Sequence, residues 1–542
     1  MNPMLYVDFY KPHHQDMYPD NMSLLYSNFT PRKSRIKGVN HVVVWGIQHF
    51  ILEYLIKSFN EEFFNVGISK ILEEYSRHIP INVKRIGELH ALGYLPIEIK
   101  ALPEGTLCPI GVPLLTIKNT HPDFAWLVNY LETLLSACLW QGITSATIAY
   151  EYKKLLNKYA LETTGSIEGV QWQAHDFSMR GMSSIESAII SGMAHLTSFT
   201  GTDTIPGIYQ LEKSYNATGL IGASVPATEH SVMCMGTKES EIETFKRLLD
   251  KYPNGILSVV SDTWDLWKVC TEYLPQLKEE ILGRDGKLVI RPDSGDPADI
   301  ICGTAREILK RGVGTFDHET ISIDGIYMIY PENTLPKKTS YRLDGEFLTV
   351  DNWKLLNVEP TPEEKGVIEL LWDVFGGTIN EQGYKVLDPH IGAIYGDSIT
   401  LERAEQICER LKAKGFASTN IVFGVGSYTY QYNTRDTFGF AMKATYGEIT
   451  HKNSKGDIAD GSKDYIVEAR EIFKDPITDD GTKKSKKGLL CIIGNETGMT
   501  KDIFVVDQCT WKQEQSGLLT TIFKDSKLIK LTTLNEVREK LK

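Results

Sequence analysis

The chain has 542 residues, 42% of them hydrophobic and 24% charged, and a net charge of −12. That length exceeds one ordinary core and that composition is too apolar for disorder, so one large domain with a substantial second one is expected. The negative balance excludes a nucleic-acid binder working by bulk electrostatics, but it leaves room for a local basic site around an anionic ligand.

The opening stretch, MNPMLYVDFYKPHHQDMYPD, has no basic region leading into an apolar one, so no signal peptide is expected. The first roughly 140 residues mix short strands with helical patterns such as residues 43–59. Residues 125–140 form the most apolar long run. Asn129 and Glu132 interrupt it and it is too short to span a bilayer, so it predicts a core helix and no membrane association. The eight cysteines, Cys108, Cys138, Cys234, Cys270, Cys302, Cys408, Cys491 and Cys509, include no CxxC pair. They read as buried thiols of a reducing cytoplasm rather than a disulfide frame or zinc site.

From residue 170 to 446 one shape recurs: a short apolar or β-branched run ends in polar residues, and a helical stretch usually follows. The runs are VQWQAHDF, LTSFTGTD, GASVPATEH, ILSVVSDT, KLVIRPDSGD, IGAIYGDS and IVFGVGS. Helices are expected over 183–194, opened by a capping box of Ser183 and Glu186, and over 401–414. Residues 330–345 and 474–488 read as loops. Alternating strands and helices predict a mostly parallel sheet, and polar chemistry at one strand end after another is what a barrel mouth requires. A doubly wound sheet would need such residues only at its switch point.

That mouth offers Arg180, His230 and Arg291 as donors or cations, and Asp176, Asp203, Glu229, Asp262, Asp293 and Asp397 as acceptors. Gly201, Gly396, Gly424 and Gly426 permit close backbone approach. Arginines beside glycine-rich turns suit phosphate oxygens, and carboxylates suit ribose hydroxyls and Mg²⁺. The set points to a phosphorylated sugar carrying a metal-bound pyrophosphate. Each residue alone has a plainer reading: an ion pair for RPDSGD, a turn for GVGS, a satisfied histidine for His230.

The segments HDFSMRGMSS (175–184), FTGTDT (199–204), SVPATEHS (224–231), SVVSDTWD (258–265), RPDSGDP (291–297), YGDS (395–398) and NIVFGVGSYTYQYNTRDTFGFAMK (420–443) resemble the nicotinate/nicotinamide phosphoribosyltransferase family in order and spacing. DFYKPHHQDMYP (8–19) and FKDPITDDGTKKSKKG (473–488) extend the resemblance over nearly the whole chain. It implies an irregular TIM-like (β/α) barrel of the type II phosphoribosyltransferase fold. An additional α+β domain would be built from both ends of the chain, with segments 1–145, 146–447 and 448–542. It also implies transfer of the phosphoribosyl group of phosphoribosyl pyrophosphate to nicotinamide in NAD salvage, with Mg²⁺ and with ATP as co-substrate.

By position, the resemblance assigns Phe177 to stack on the nicotinamide ring, with Tyr10 of a partner subunit on the other face. Asp203 accepts the carboxamide N–H₂; its charge would also repel the carboxylate of nicotinic acid. Arg180 and Arg291 take substrate oxygens and phosphate, and Asp293 the ribose hydroxyls. Gly396, Asp397, Gly426 and Ser427, with Arg435 and Lys443 from the partner, belong to the phosphoribosyl site. Asp8 and Arg32 match further partner positions, so a homodimer with shared sites is implied. His230 matches a histidine phosphorylated by ATP, with Glu229 and Asp262 placed to orient it. The lysines Lys483, Lys484, Lys486 and Lys487 read equally as a solvated loop or a targeting-like patch, and by position in the family motif match an anion-contacting loop.

Departures from the family pattern are Ser427 and Tyr428 where glycines are usual, Ala441 for a serine, Ser178-Met179 for Gly-Tyr, and Thr263 for a serine. Catalysis is expected from alignment and electrostatics, with no side-chain nucleophile or general base, because the pyridine lone pair is free at neutral pH. Two rivals stay open: a nicotinate phosphoribosyltransferase, and a non-catalytic scaffold of the same fold.

Overall fold

In the computed structural model the described residues are 1–304, 360–396, 398–452, 465–474, 486–494 and 503–542, with the backbone of short strands between 309 and 357. Two sheets organise them. The first is parallel and six-stranded, in the order Gly201–Thr202, Ala174–Asp176, Ile421–Val425, Ile391–Tyr395, Asp285–Arg291, Asn254–Val260. Its central strands read as continuous apolar runs because both faces are covered: all five residues of Ile391–Tyr395 are buried. Phe423, Val425, Ala393, Ile290 and Val259 share one core with Tyr152, Leu156 and Tyr159 of the helix Glu132–Thr164.

The expected seventh strand, in GASVPATEH, is not a strand. It forms two isolated parallel bridges instead, Gly201↔Ala223 and Ala227↔Ser258, one to each edge of the sheet. Residues 223–227 thus span the two edges of a curled sheet. The pairing is short because Pro226 has no N–H to give a ladder. With this segment counted, all seven polar run ends lie around one sheet.

The second sheet is seven-stranded: Tyr465–Glu471, Ala441–Lys452, Met22–Thr30, Leu115–Asn119, Ile97–Ala101, Thr520–Lys524, Lys527–Leu528. Three early strands lie at its centre with two late strands on each side, so both ends of the chain build one unit over a core that includes Phe29, Phe440, Ile99 and Phe523. The helix Glu132–Thr164 runs through the boundary placed at 145, and the strand Ala441–Lys452 runs through the one placed at 447.

Several local expectations shift. The helix expected over 183–194 is Ile185–His195, and its N-cap is Ser184, whose Oγ accepts from Ser187 N at 3.1 Å. The Ser183/Glu186 box is therefore one residue out of register. The run 125–140 divides into Leu127–Tyr130 and the start of the 33-residue helix. Residues 43–59 open with the end of a strand, His41–Val43, before Ile47–Phe50 leads into wide turns over Ile51–Ser58. All eight cysteines are free, but Cys234 is exposed and Cys138 and Cys509 are only half-buried, which departs from a uniformly buried set. Most of the loops at 330–345 and 474–488 lies outside the described residues.

Candidate active site

An open pocket of about 490 Å³ lies at the C-terminal ends of the parallel strands, lined by Phe177, Met179, Arg180, Met182, Ser184, Ile185 and Asp203. Its wall begins with the strand Ala174–Asp176. Asp176 is fully buried, and its oxygens accept from Ser178 N at 2.9 Å and Thr204 Oγ1 at 2.8 Å. Asp176 is thus a structural tie between two strand ends, not an open acceptor as the sequence suggested.

One residue earlier, His175 Nε2 lies 2.9 Å from Asp203 Oδ1, and Ser224 Oγ donates to the same oxygen at 2.5 Å. The imidazole also packs against Phe177, ring centroids 4.6 Å apart and planes tilted by 41°. A methyl group on Gly201 would sit 2.8 Å from His175 Nδ1, so the imidazole is pressed against that strand. Burial raises the Asp203 carboxyl, but the hydrogen bonds from His175 and Ser224 and the charge of Arg291 outweigh it and hold the group below its ordinary value. Asp203 is therefore ionised at neutral pH. Among the described residues its Oδ2 has no hydrogen-bond partner, so one oxygen is anchored and the other is available to a ligand.

Arg291 ends the strand Asp285–Arg291, and its guanidinium carbon lies 5.7 Å from the centre of the Phe177 ring. Burial lowers its pKa against the charges of Asp293 and Asp203, and the positive charge of Arg180 lowers it further. Two cations this close, with Arg291 Nε buried and unpartnered, form a site for an anion.

Across the mouth, His230 begins the short helix His230–Met235. Its Nε2 is 3.6 Å from Asp293 Oδ2 and its Nδ1 is 3.3 Å from Thr263 Oγ1. The two residues expected to orient the ring contact other groups. Glu229 accepts a short hydrogen bond from Ser231 Oγ. Asp262 Oδ2 accepts from the backbone N–H groups of Asp293 and Ser294, both at 2.8 Å, and from Ser294 Oγ at 2.6 Å. Asp262 thus acts one step removed, by fixing the loop that carries Asp293, while its Oδ1 is buried and unpartnered. Tyr395, whose OH donates to Gly295 O at 2.9 Å, borders the same carboxylates; burial and the charges of Asp293, Asp262 and Asp296 push it up to about 12.

Glycine is required where backbones and side chains meet most closely. A methyl group on Gly396 would fall 2.7 Å from Asp293 Oδ1, and one on Gly424 would fall 2.5 Å from the Tyr395 carbonyl oxygen. Gly426 is the buried residue before the helix Ser427–Gln431. Ser427 fills space against Gly181, where an added methyl would overlap its Oγ, so this departure tightens the junction between the two loops. Asp397 and two of the four lysines, Lys483 and Lys484, lie outside the described residues.

The five positions assigned to a partner subunit do not line the pocket. Asp8 Oδ2 accepts from Thr133 Oγ1 at 2.7 Å, and Tyr10 sits edge-on to His14 with 57% of its surface exposed. Arg32 Nε donates to Gly439 O at 2.8 Å, and Arg435 is exposed beside Asp436. Lys443 is lowered by burial and by the charges of Arg32 and Lys474, which identifies a second basic cluster on the antiparallel sheet. Among the described residues no group of three or more His, Cys, Asp or Glu side chains is disposed to hold a metal ion by itself.

His175 and Ser224, which hold Asp203, were missed as functional residues. Both begin motifs quoted above, and their signal was position: His175 lies near the end of one run and Ser224 near the start of another, and both runs adjoin the Asp203 strand.

Residues 172–526 match the nicotinate phosphoribosyltransferase (NAPRTase) family. Over 560 aligned residues the chain is 46% identical to a nicotinamide phosphoribosyltransferase of Acinetobacter baylyi, covering 100% of this chain and 97% of that one. A nicotinamide phosphoribosyltransferase of Mycoplasma pneumoniae is 36% identical over 487 residues, covering 85% of this chain and 94% of that one. Among solved structures, a nicotinate-nucleotide pyrophosphorylase from Pyrococcus furiosus aligns over 100% of this chain and 95% of its own with a TM-score of 0.52 at 13% identity, a likeness of fold.

Proposed function

This chain belongs to the nicotinate phosphoribosyltransferase family, and from that premise we propose that it joins nicotinamide to phosphoribosyl pyrophosphate, giving nicotinamide mononucleotide and pyrophosphate. The observation that carries the amide reading is Asp203: an ionised carboxylate beside Phe177, with one oxygen fixed by His175 and Ser224 and the other open to the pocket. Such a group accepts from a carboxamide N–H₂ and repels a carboxylate.

Nicotinamide lies against Phe177 with its amide toward Asp203. Arg291 and Arg180 hold phosphate oxygens, and Asp293 faces the ribose. The pyridine nitrogen attacks the anomeric carbon as the bond to pyrophosphate breaks; the electron pair leaves with pyrophosphate, and the new C–N bond leaves the positive charge on the ring. No proton moves in this step, which suits a site without a base on the attacking nitrogen. Mg²⁺ fits as a passenger of the pyrophosphate: the unpartnered Asp262 Oδ1 and the nearby Asp293 are a partial, not a complete, donor set. When bound, it supplies neutralisation of the leaving group.

ATP acts at His230. Its γ-phosphoryl passes to a ring nitrogen as the bond to the β-phosphate oxygen breaks, and ADP leaves. The exposed imidazole, held between Thr263 and Asp293, is accessible for that transfer. The active unit is a homodimer whose partner supplies Tyr10, Asp8, Arg32, Arg435 and Lys443. The scattered, unpaired cysteines suit action in a reducing cytoplasm.

A nicotinate enzyme has one observation in its favour, the two arginines at the pocket, either of which suits a substrate carboxylate. The deciding assay is product formation from phosphoribosyl pyrophosphate and Mg²⁺ with nicotinamide or nicotinic acid, each with and without ATP. Mononucleotide from the amide, increased by ATP, supports the proposal. Turnover of the acid instead moves the assignment to the nicotinate reaction, and an unchanged rate with ATP removes the role of His230.

A further inference from the structure

The C-terminal helix Leu534–Lys540 lies far from the pocket in sequence, but one of its side chains reaches the two segments that build the pocket's amide-reading wall. Arg538 Nε donates to Leu196 O at 2.8 Å and Nη2 donates to Ile221 O at 2.6 Å, with longer contacts to Phe199 O at 3.4 Å and Leu220 O at 3.5 Å. Leu196 and Phe199 lead directly into the strand Gly201–Thr202 and Asp203. Ile221 leads into Ala223 and Ser224. One guanidinium therefore grips the roots of two neighbouring segments whose tips are joined by the Ser224–Asp203 hydrogen bond.

Besides close packing of Gly222 against Leu196 and Thr202, few backbone hydrogen bonds among the described residues join these segments. The strand is two residues long, and the pairing between the segments consists of Ala223 N to Thr200 O at 2.9 Å and Thr202 N to Ala223 O at 3.0 Å. Register is weakly held in so short a ladder. The guanidinium is suited to the task because its donors diverge in one rigid plane, which lets it bridge carbonyls of two chains at a set spacing. Leu196 also caps the helix Ile185–His195, where a cation meets the negative end of the helix dipole.

Arg538 has no carboxylate partner among the described residues; its charge is met by carbonyl oxygens, and burial lowers its pKa to about 10, still well above neutrality. The helix is seated by Leu534, Val537 and Leu541, which pack with Leu196, Tyr215 and Ile221. The guanidinium is thus presented from a packed element.

We propose that Arg538 is a positioning residue for amide recognition, setting the alignment of Asp203 with Ser224 from beneath the pocket; this rests on the nicotinamide reading above. It predicts a selective defect. In Arg538→Ala the KM for nicotinamide rises and the ratio of kcat/KM for nicotinamide over nicotinic acid falls by about tenfold, while the KM for phosphoribosyl pyrophosphate stays within about twofold. Arg538→Lys, which keeps the charge but not the fork, recovers part of the ratio.

In a Ser224→Ala background, Arg538→Ala brings little further loss, because both changes disable one device. A folded Arg538→Ala protein with unchanged ratio and nicotinamide KM overturns the proposal, as do losses from the two substitutions that simply multiply. Should Arg538→Ala fail to fold, a folded Arg538→Lys variant decides: a several-fold loss of ratio supports the proposal and a wild-type ratio overturns it. A wild-type enzyme without amide preference sinks the functional reading itself, whereas an amide-preferring enzyme indifferent to these variants sinks only the role of Arg538.

Discussion

At Asp203 the two oxygens of one carboxylate have separate work, and the separation makes its chemistry predictable. Oδ1 is held by His175 and Ser224, so the side chain is aimed before any ligand arrives. Losing a charge-assisted contact of this kind costs on the order of 2 kcal/mol, about thirtyfold in a binding ratio. Asp203→Ala should therefore reduce the preference for nicotinamide over nicotinic acid by at least about tenfold, read as the ratio of kcat/KM. His175→Phe keeps a ring against Phe177 but removes the donor; it should raise the nicotinamide KM several-fold and leave that for phosphoribosyl pyrophosphate unchanged. The Asp203 carboxyl is depressed, so its ionised form and the stability that form contributes are present above the ordinary carboxylate range. They fade only as pH falls through the lowered value. The amide preference should accordingly be flat from pH 8 down to about 5, and a fall within that window would contradict the assignment of charge. At this scale Phe177, Arg291, Asp203 and His230 were legible in the sequence because strand ends announce themselves. His175 and Ser224 were harder to single out, since they meet Asp203 from segments 28 and 21 residues away. The orienting role given to Glu229 and Asp262 failed for a related reason: order along the chain does not say which way a side chain turns at a strand end.

Elements were legible where the pattern was long and blurred where it was short. The start of the helix Glu132–Thr164 and the buried strand Ile391–Tyr395 follow from apolar runs, but the helix's continuation past residue 140 does not. The edge segment 223–227 and the start of the helix Ile185–His195 depend on one or two hydrogen bonds, which a single residue of drift rearranges. One inter-element device had no sequence signal. Glu104, next to Gly105, accepts from Gln48 N at 2.7 Å and Gly46 N at 3.4 Å at the start of the helix Ile47–Phe50, while Lys540 donates to its carbonyl at 2.9 Å. Burial outweighs those N–H groups and raises the Glu104 pKa to about 7. The folded protein thus favours the neutral carboxyl, and the associated stability, present below the ordinary value of 4.5, is lost as pH rises through about 7. The effect is on the order of 3 kcal/mol. Glu104→Gln, neutral at every pH and still an acceptor, should melt higher than the wild type at pH 8 and nearly level with it at pH 5. Glu241, also raised to about 7 by burial, will leave part of the pH slope in the variant. Equal melting temperatures at pH 8 would show that Glu104 is ionised in the fold without penalty.

At the scale of the molecule, the ends of the chain interleave in one antiparallel sheet, and the residues matched to phosphate binding divide into two groups. One surrounds the barrel mouth; the other, with Arg32, Arg435 and Lys443, belongs to the antiparallel unit and does not line the pocket. The alternating composition made the barrel legible, but no local pattern in the sequence says how the second group reaches a substrate. A partner is supported by surface chemistry: Phe9, Tyr10 and Met17 are 65%, 57% and 72% exposed within one short segment, and Tyr428 and Tyr432 stack with 53% and 79% exposed beside the pocket loops. Arg32 and Lys443, like charges close enough to depress the Lys443 pKa, likewise suit an anion. Shared sites can be separated from self-contained ones by co-expressing Asp293→Ala with Arg435→Ala, each inactive or nearly so alone. If each site takes its barrel from one chain and Arg435 from the other, half of the dimers are mixed and carry both lesions in one site, leaving the second intact. The mixture then recovers about a quarter of the wild-type kcat. If every site uses its own Arg435, no combination of the two chains contains an intact site, and the mixture stays as inactive as its parts.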